Sequence, residues 1–295
     1  MNFATFTPLN GLAQVLPRFQ ERSAEAMRSR VVVRMRMTDA AHLADPERQR
    51  ALLATFPDHQ KRARIDGLPL LGSGAVFDVL VDDLVVPLRI VGNEIVHRDV
   101  GPLDTRGWAF LWAIDFGIGH SFGAVLLAHD RDNDVVYILA EVRMKNAIPA
   151  QHAARMKAIA ANVKVAWPHD GNQREKGSGE TLSSLYKREG LLMLPSHAAF
   201  EGGGYSTEAG VMEMMTRIRS DRFKVAAHCI EWQDEYQSYH RKDGLIVKVN
   251  DDLMSASRIG IMQLRSARPT ILGSQRAQRT SGTQMARDVD FDIWS

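Results

Sequence analysis

Phe110-Leu-Trp-Ala-Ile-Asp115-Phe-Gly117-Ile-Gly-His120 is an apolar run that ends in an aspartate and is then broken by glycine. A short apolar run bounded by glycine predicts a buried strand, although periodicity alone does not distinguish it from a buried helix. The next segment, Ser121 to His129, is again apolar. After the polar turn Asp130-Arg-Asp-Asn-Asp134, a third run extends from Val135 to Met144. Three strands joined by tight connections are the economical reading, because Asn133-Asp134 supplies turn chemistry. Asp115 then closes the first and most buried strand. A carboxylate there is costly unless it is paired, hydrogen-bonded or bound to a metal.

The segments downstream of this sheet continue the pattern. Pro149 to Ala161 is alanine-rich with apolar residues at helical spacing, so it predicts a helix. Val163-Lys-Val-Ala-Trp-Pro-His-Asp170-Gly171 follows as a fourth strand that ends in a second aspartate. In a β-β-β-α-β order the first and fourth strands can lie side by side, which would bring Asp115 and Asp170 together. Helices are expected over Thr181 to Glu189, Ala209 to Arg219, Ile230 to His240 and Leu253 to Leu264. Short strands are expected at Leu191 to Pro195 and Phe223 to His228. Asn250, Asp251 and Asp252 stand where caps of the last helix belong.

Upstream, Leu12 to Met27 has helical spacing interrupted by Pro17, and Val31 to Met37 predicts a strand. Pro46 to Thr55 and Gln60 to Ile65 predict polar helices. Gly67 to Gly74 is a glycine-punctuated turn before an expected strand from Ala75 to Val81. Residues 88 to 107 read as a linker, with Gly92-Asn93 and Gly101-Pro102 as breakers. Gly72-Ser-Gly74 is followed by no Gly-Lys-Ser/Thr, and no phosphate loop of that type occurs in the chain, so no ATP turnover is expected.

The 295 residues are 45% hydrophobic and 24% charged, an ordinary globular composition. A net charge of +2 permits a local nucleic-acid surface without arguing for one. The single cysteine, Cys229, rules out an internal disulfide and a cysteine-based zinc site. No apolar run approaches the roughly 18 residues of a bilayer-spanning helix, and no signal-peptide pattern is present. An intracellular protein with no membrane partner is expected.

Three acidic positions therefore stand out: Asp115, Asp170 and the pair Asp251-Asp252. Clustered carboxylates repel one another and are tolerated where a divalent cation neutralises them, and hard oxygen ligands suit Mg²⁺ or Mn²⁺. Two such ions roughly 4 Å apart can activate water and stabilise the leaving oxygen of a phosphodiester. Scattered aspartates are more often caps and turn residues. On the residues alone, the order of elements leaves the two readings level.

The chain resembles the large terminase subunit of tailed bacteriophages, the motor and nuclease that packages DNA into the capsid. Ala113-Ile-Asp115-Phe-Gly117 is similar to that family's first nuclease motif. Trp167-Pro-His-Asp170-Gly171, with Lys176-Gly-Ser-Gly179, is similar to the second. Tyr239-His-Arg-Lys-Asp-Gly244 running into Asn250-Asp-Asp252-Leu-Met-Ser-Ala-Ser-Arg258 is similar to the third. Ala4 to Gly11 resembles the coupling segment near the end of the family's ATPase domain, and Met37 to Leu43 the region beyond it.

The resemblance implies an α/β chain: a remnant of the ATPase domain and linker over 1–95, a ribonuclease H-like nuclease domain over 96–264, and a flexible tail over 265–295. It implies a mixed central sheet flanked by helices, with Asp115, Asp170, Asp251 and Asp252 as catalytic and metal-binding residues around Mg²⁺ or Mn²⁺. The activity implied is endonucleolytic cutting of concatemeric double-stranded DNA in the host cell cytoplasm. The implied partners are DNA, the portal protein and the small terminase subunit. The competing reading is a catalytically silent fragment that docks on DNA or the portal.

Two positions depart from the family pattern. Ser255 stands where many relatives carry an aspartate before the alanine of the last motif, and Ile259 where many carry an aromatic residue. The third ligand then falls to Asp251 or Asp252. His120 and His169, beside the proposed ligands, read first as supporting histidines. Lys176 could neutralise a phosphate or be a solvated loop lysine. Glu141 is expected to face solvent or pair with a base, and Glu208 to sit in a first helical turn. The arginines from Arg265 to Arg287 read first as keeping the tail soluble, and Asp288 to Trp294 as a segment that could dock on the portal.

Overall fold

The computed structural model describes residues 35–43, 45–56, 65, 75–117, 121–174 and 179–272. The expected helix Leu12 to Met27, the start of the strand at Val31, most of Gln60 to Ile65, the Gly67 to Gly74 turn, His120, Lys176 and residues 273–295 lie outside them. The chain forms two compact units. One takes the described residues up to Asp83 together with Gln233–Val249, and the other takes Leu84–Trp232 and the residues from Asn250 onward.

The second unit is built on three long apolar strands, β5 (Trp108–Asp115), β6 (Phe122–Asp130) and β7 (Val135–Met144). They pair antiparallel in sequence order, as the turn chemistry predicts. Asp134 adopts φ 50° at the second connection, and its carboxylate holds His129, Arg217 and Arg222. Burial on both faces explains why these strands read as continuous apolar runs rather than alternations. β8 (Lys164–Ala166) lies parallel to β5, so the first and fourth strands of the sequence pattern are indeed neighbours. β9 (Leu192–Met193) follows on that side.

On the other side β10 (Phe223–Ala226) runs parallel to β7, and β1 (Val85–Val86) closes the edge. The order is β1-β10-β7-β6-β5-β8-β9, a mixed sheet of seven strands. Helices cover both faces. One side carries α2 (Pro149–Ala160) and α3 (Leu182–Arg188), and the other carries α4 (Thr207–Arg219) and α6 (Asp252–Met262). Their starts follow capping rules: Thr181 accepts from Ser184 N at 3.3 Å and Ser206 from Ala209 N at 3.1 Å. Gln151 reaches back to the Ile148 amide at 3.0 Å. Helix α5 (Ile230–Ser238) begins just after β10.

Residues 88–107 are not a linker. β2 (Leu88–Val91), β3 (Glu94–His97) and β4 (Gly101–Pro102) form a small antiparallel sheet, and the expected breaker Gly92-Asn93 is its hairpin turn. The expected tail also starts later than Arg265. Phe110 and Arg268 exchange backbone bonds at 2.9 and 3.2 Å, Ala267 is fully buried, and Leu272 is nearly so. This stretch extends the edge of β5 that the short β8 leaves uncovered.

In the first unit helix α1 (Pro46–Ala54) starts at the predicted Pro, with Asp45 accepting from Glu47 N at 3.0 Å. No strand forms from Ala75 to Val81. Ala75 makes only an isolated bridge to His240, and Val81–Asp83 is a 3-10 turn. Phe77 is stacked on Tyr236 at 5.0 Å, and the Tyr236 hydroxyl donates to Val79 O at 2.9 Å. Asp243 and Gly244, both at positive φ, turn the hairpin between β11 (Arg241–Lys242) and β12 (Leu245–Ile246). Among the described residues no helix is long and apolar enough to cross a membrane.

Candidate active site

Register builds the site. Asp115 at the end of β5 is paired with Gly123 of β6, and Gly123 with Arg143 of β7. Directly paired residues face the same side of a sheet, so Asp115, Gly123 and Arg143 form one row across its central strands. Gly123 has no side chain for a reason. A Cβ there would stand 2.6 Å from the Asp252 carbonyl oxygen and 3.0 Å from the Asp252 Cβ. The first residue of α6 therefore rests directly on Gly123, between the acid at one end of the row and the arginine at the other.

Asp252 is buried at 4% exposure, and an unpaired carboxylate would be costly there. Arg143 supplies the partner: Nε and Nη2 donate to Asp252 Oδ2 at 3.2 and 3.0 Å. Its Nη2 also donates to Asn250 Oδ1 at 3.2 Å, and its Nη1 lies 3.8 Å from Glu231 Oε2. Asp251, by contrast, occupies the N-cap position without a side-chain cap bond, so the expected capping role falls to neither acid. Ser255, the departure from the family pattern, accepts from Arg258 Nη2 at 3.3 Å.

Glu141, two residues before Arg143 and on the same face, is half-buried. It caps α5 by accepting from Glu231 N at 3.0 Å and from Trp232 N at 2.7 Å. A carboxylate at a helix N-terminus meets unsatisfied amides and the positive end of the dipole. Arg143, Glu141 and Glu231 border a groove of about 860 Å³ that also takes in Arg89, Arg155 and His228. Arg89 and Arg155 have no ion-pair or hydrogen-bond partner among the described residues.

Asp170 reaches the row from the opposite side. It lies in a 3-10 turn, His169–Asn172, just after β8, and β8 is aligned on β5 through Ala113 and Ala166. A Cβ at Gly171 would fall 2.5 Å from Phe116 and from Trp167, so the residue after Asp170 is clasped by the residue after Asp115. Trp167 is itself fixed by a 2.8 Å bond from Nε1 to Leu194 O. Asp170 Oδ1 is buried and has no hydrogen-bond partner. That is an acceptor in want of a donor or a cation.

Strand pairing thus sets the end of β5, which carries Asp115, beside the end of β8, which leads to Asp170, while Asp252 sits against Gly123, the partner of Asp115. The carboxylates stop short of a closed set: among the described residues no three His, Cys, Asp or Glu side chains form a group that could hold a metal ion. The donors present fit a hard divalent cation in chemistry, since they are carboxylate oxygens and one is buried without a partner. Sequence reasoning missed Arg143. The available signal was its position two residues from Glu141 on a strand, which puts both on one face. Glu208 lies in the first turn of α4 as expected.

On the Asp170 side the exposed His169 ring is stacked on Tyr205 at 4.7 Å and 3°, and His197 meets both edge-on. Behind the row, on the opposite face, Phe122 stacks on His152 at 3.9 Å. His152 Nδ1 shares a 2.8 Å bond with the Tyr186 hydroxyl, and burial lowers the His152 pKa to about 4.

A family model for the terminase RNaseH-like domain matches residues 112–264. The chain is 35% identical over 266 residues to the terminase large subunit of Salmonella phage P22, covering 90% of this chain and 50% of that protein. With the terminase large subunit of Enterobacteria phage LP7 it shares 35% identity over 260 residues, covering 88% and 51%. The solved nuclease domain of the P22 large terminase is similar in structure, with a TM-score of 0.58 and 35% identity, over 67% of this chain and 96% of that domain. The chain spans about half the length of these curated relatives.

Proposed function

Because this chain belongs to the terminase RNaseH-like domain family, we propose that it is the metal-dependent endonuclease of a viral genome-packaging terminase. In this reading it cuts concatemeric double-stranded DNA in the host cell cytoplasm, and Asp115, Asp170 and one of Asp251 or Asp252 hold Mg²⁺ or Mn²⁺ in a two-metal site. The observation that carries the reading is the Asp115–Gly123–Arg143 row with Asp252 seated on Gly123. When bound, the ions would polarise the scissile phosphate and lower the pKa of the attacking water.

The chain's own residues do the rest. Gly123 allows the start of α6 to approach the sheet, and the Phe116–Gly171–Trp167 packing fixes the turn that carries Asp170. Arg143 offsets the charge of Asp252 before any cation arrives. The family context suggests the portal protein and the small terminase subunit as partners, with the stretch before Leu84 as the end of a motor domain. Plasmid nicking by the purified protein, with Mn²⁺ or Mg²⁺ against EDTA, tests the reading. Nicking that survives EDTA would overturn the metal assignment.

The second reading is a fragment that docks on DNA or the portal without cutting. The observation in its favour is Arg143 itself, already committed to Asp252. Retained DNA binding with no nicking in either metal would select it.

A further inference from the structure

Tyr205 is half exposed, and its hydroxyl has no hydrogen-bond partner among the described residues. One face of its ring is covered by His169 in a nearly parallel stack. His197 braces the pair edge-on, at 4.8 Å from His169 and 5.3 Å from Tyr205, and Trp167 stands edge-on behind His197 at 6.1 Å. The support is tied down by hydrogen bonds. Ala198 N donates to Trp167 O at 2.8 Å, Gln263 Nε2 to His197 O at 3.4 Å, and Arg265 Nη2 to Ala199 O at 2.7 Å. The loop that delivers Tyr205 is closed by Phe200 N to Gly204 O at 3.0 Å.

Folding does not account for this arrangement. An exposed tyrosine stacked on an exposed histidine buries little apolar area, yet three elements hold it in place. Its location is informative: His169 immediately precedes Asp170, so the stack borders the acidic row at the end away from Arg143. A flat ring with one face supported is a surface on which a nucleobase can stack, and such stacking tolerates any base because every base has a π-face.

We propose that Tyr205, backed by His169 and His197, is a stacking platform for an unpaired nucleobase of the DNA strand presented to Asp170. The platform would make locally opened DNA the preferred ligand at the cut. The inference rests on the nuclease reading above and adds to it the state of the DNA. Tyr205 is a positioning residue here, because it would hold a base and leave the reacting phosphate to the acids.

Fluorescence anisotropy in EDTA tests it, with labelled duplexes that are either fully paired or carry a central bubble. The wild-type protein should bind the bubble more tightly. Tyr205→Ala should lose about five- to a hundredfold in bubble affinity with little change for the paired duplex, in keeping with the weight of one base–aromatic stack. Tyr205→Phe should restore the preference, which a structural role for the hydroxyl would not allow. Equal bubble affinity for Tyr205→Ala and wild type would overturn the proposal, as would a Phe variant as weak as Ala. Plasmid nicking is scored separately: a nuclease without bubble preference sinks the platform alone, and a protein that binds neither duplex sinks both readings.

Discussion

Arg143 and Asp170 stand at opposite ends of the same acidic line, and their surroundings differ in kind. At the Arg143 end charge is matched by charge or by dipole: its guanidinium meets Asp252, Asn250 and Glu231, and Glu141 takes two amides of α5. At the Asp170 end a carboxylate oxygen is buried with no hydrogen-bond partner, and the preceding residue, His169, is stacked on Tyr205. A buried pair is expensive to break, and a buried lone acceptor is expensive to keep. The first end is therefore set by folding, whereas the second is the end to which the proposed reading assigns a cation.

The largest effect should come from the acids themselves. Asp115→Asn and Asp170→Asn should each take metal-dependent nicking below detection, while circular dichroism shows a retained fold. Asp170→Asn should lose no thermal stability, since it removes a charge that has no donor at Oδ1. A variant that nicks plasmid at the wild-type rate would remove that residue from the site.

Arg143→Met probes the other end and should reverse the pattern. It leaves Asp252 buried without its guanidinium, for which a loss of about 3–5 kcal/mol is expected in chemical denaturation. The contrast with Asp170→Asn is the point: one end should report on stability and the other on activity. Equal stability losses at both ends would dissolve the distinction.

How much of this was legible follows from where the information resides. β5, β6 and β7 were readable because a long apolar run bounded by turn residues has few other uses, and the adjacency of β5 and β8 followed from element order. Residues 88–107 read as a linker in the sequence because β2, β3 and β4 are two to four residues long, too short for alternation to register. Arg265 to Leu272 looked like tail by composition, yet Ala267 and Arg268 pack by backbone pairing, which composition does not encode. Asp115, Asp170 and the Asp251-Asp252 pair stand out in the sequence because each falls at the end or start of an element. Arg143 did not, because its role exists only through the register that puts it opposite Gly123.

A smaller effect is expected behind the row, where His152 stacks on Phe122. Its folded pKa, about 4, lies below the ordinary histidine value of 6.5 because burial disfavours the imidazolium. As pH falls below 6.5 the unfolded chain takes up a proton that the folded chain refuses until about pH 4. Stability from this group is thus fully present above 6.5 and is lost between 6.5 and 4. The loss is on the order of 3 kcal/mol. Denaturation of wild type and His152→Gln at several pH values measures it, and the variant should show the shallower dependence over that window. Parallel curves would exclude His152 as the source.

Gly123→Ala carries the smallest expected change in stability and the sharpest test of the geometry. The added Cβ would meet backbone of Asp252 at 2.6 Å, and that contact is not the tip of a flexible side chain that can swing aside. Either α6 lifts at its first residue or β6 is pushed back, at a cost of about 1–3 kcal/mol for overpacking of this kind. The two adjustments differ in consequence. If α6 lifts, Asp252 moves relative to both Asp115 and Arg143, and nicking should fall much further than stability does. The expected signature is therefore a folded protein with a modestly lower melting temperature, a higher Mn²⁺ requirement and slow cleavage. If nicking and Mn²⁺ dependence stay at wild-type levels while stability drops, the close approach of Asp252 to Gly123 is only packing. The acidic line would then have to be drawn through Asp115 and Asp170 with Asp251 instead.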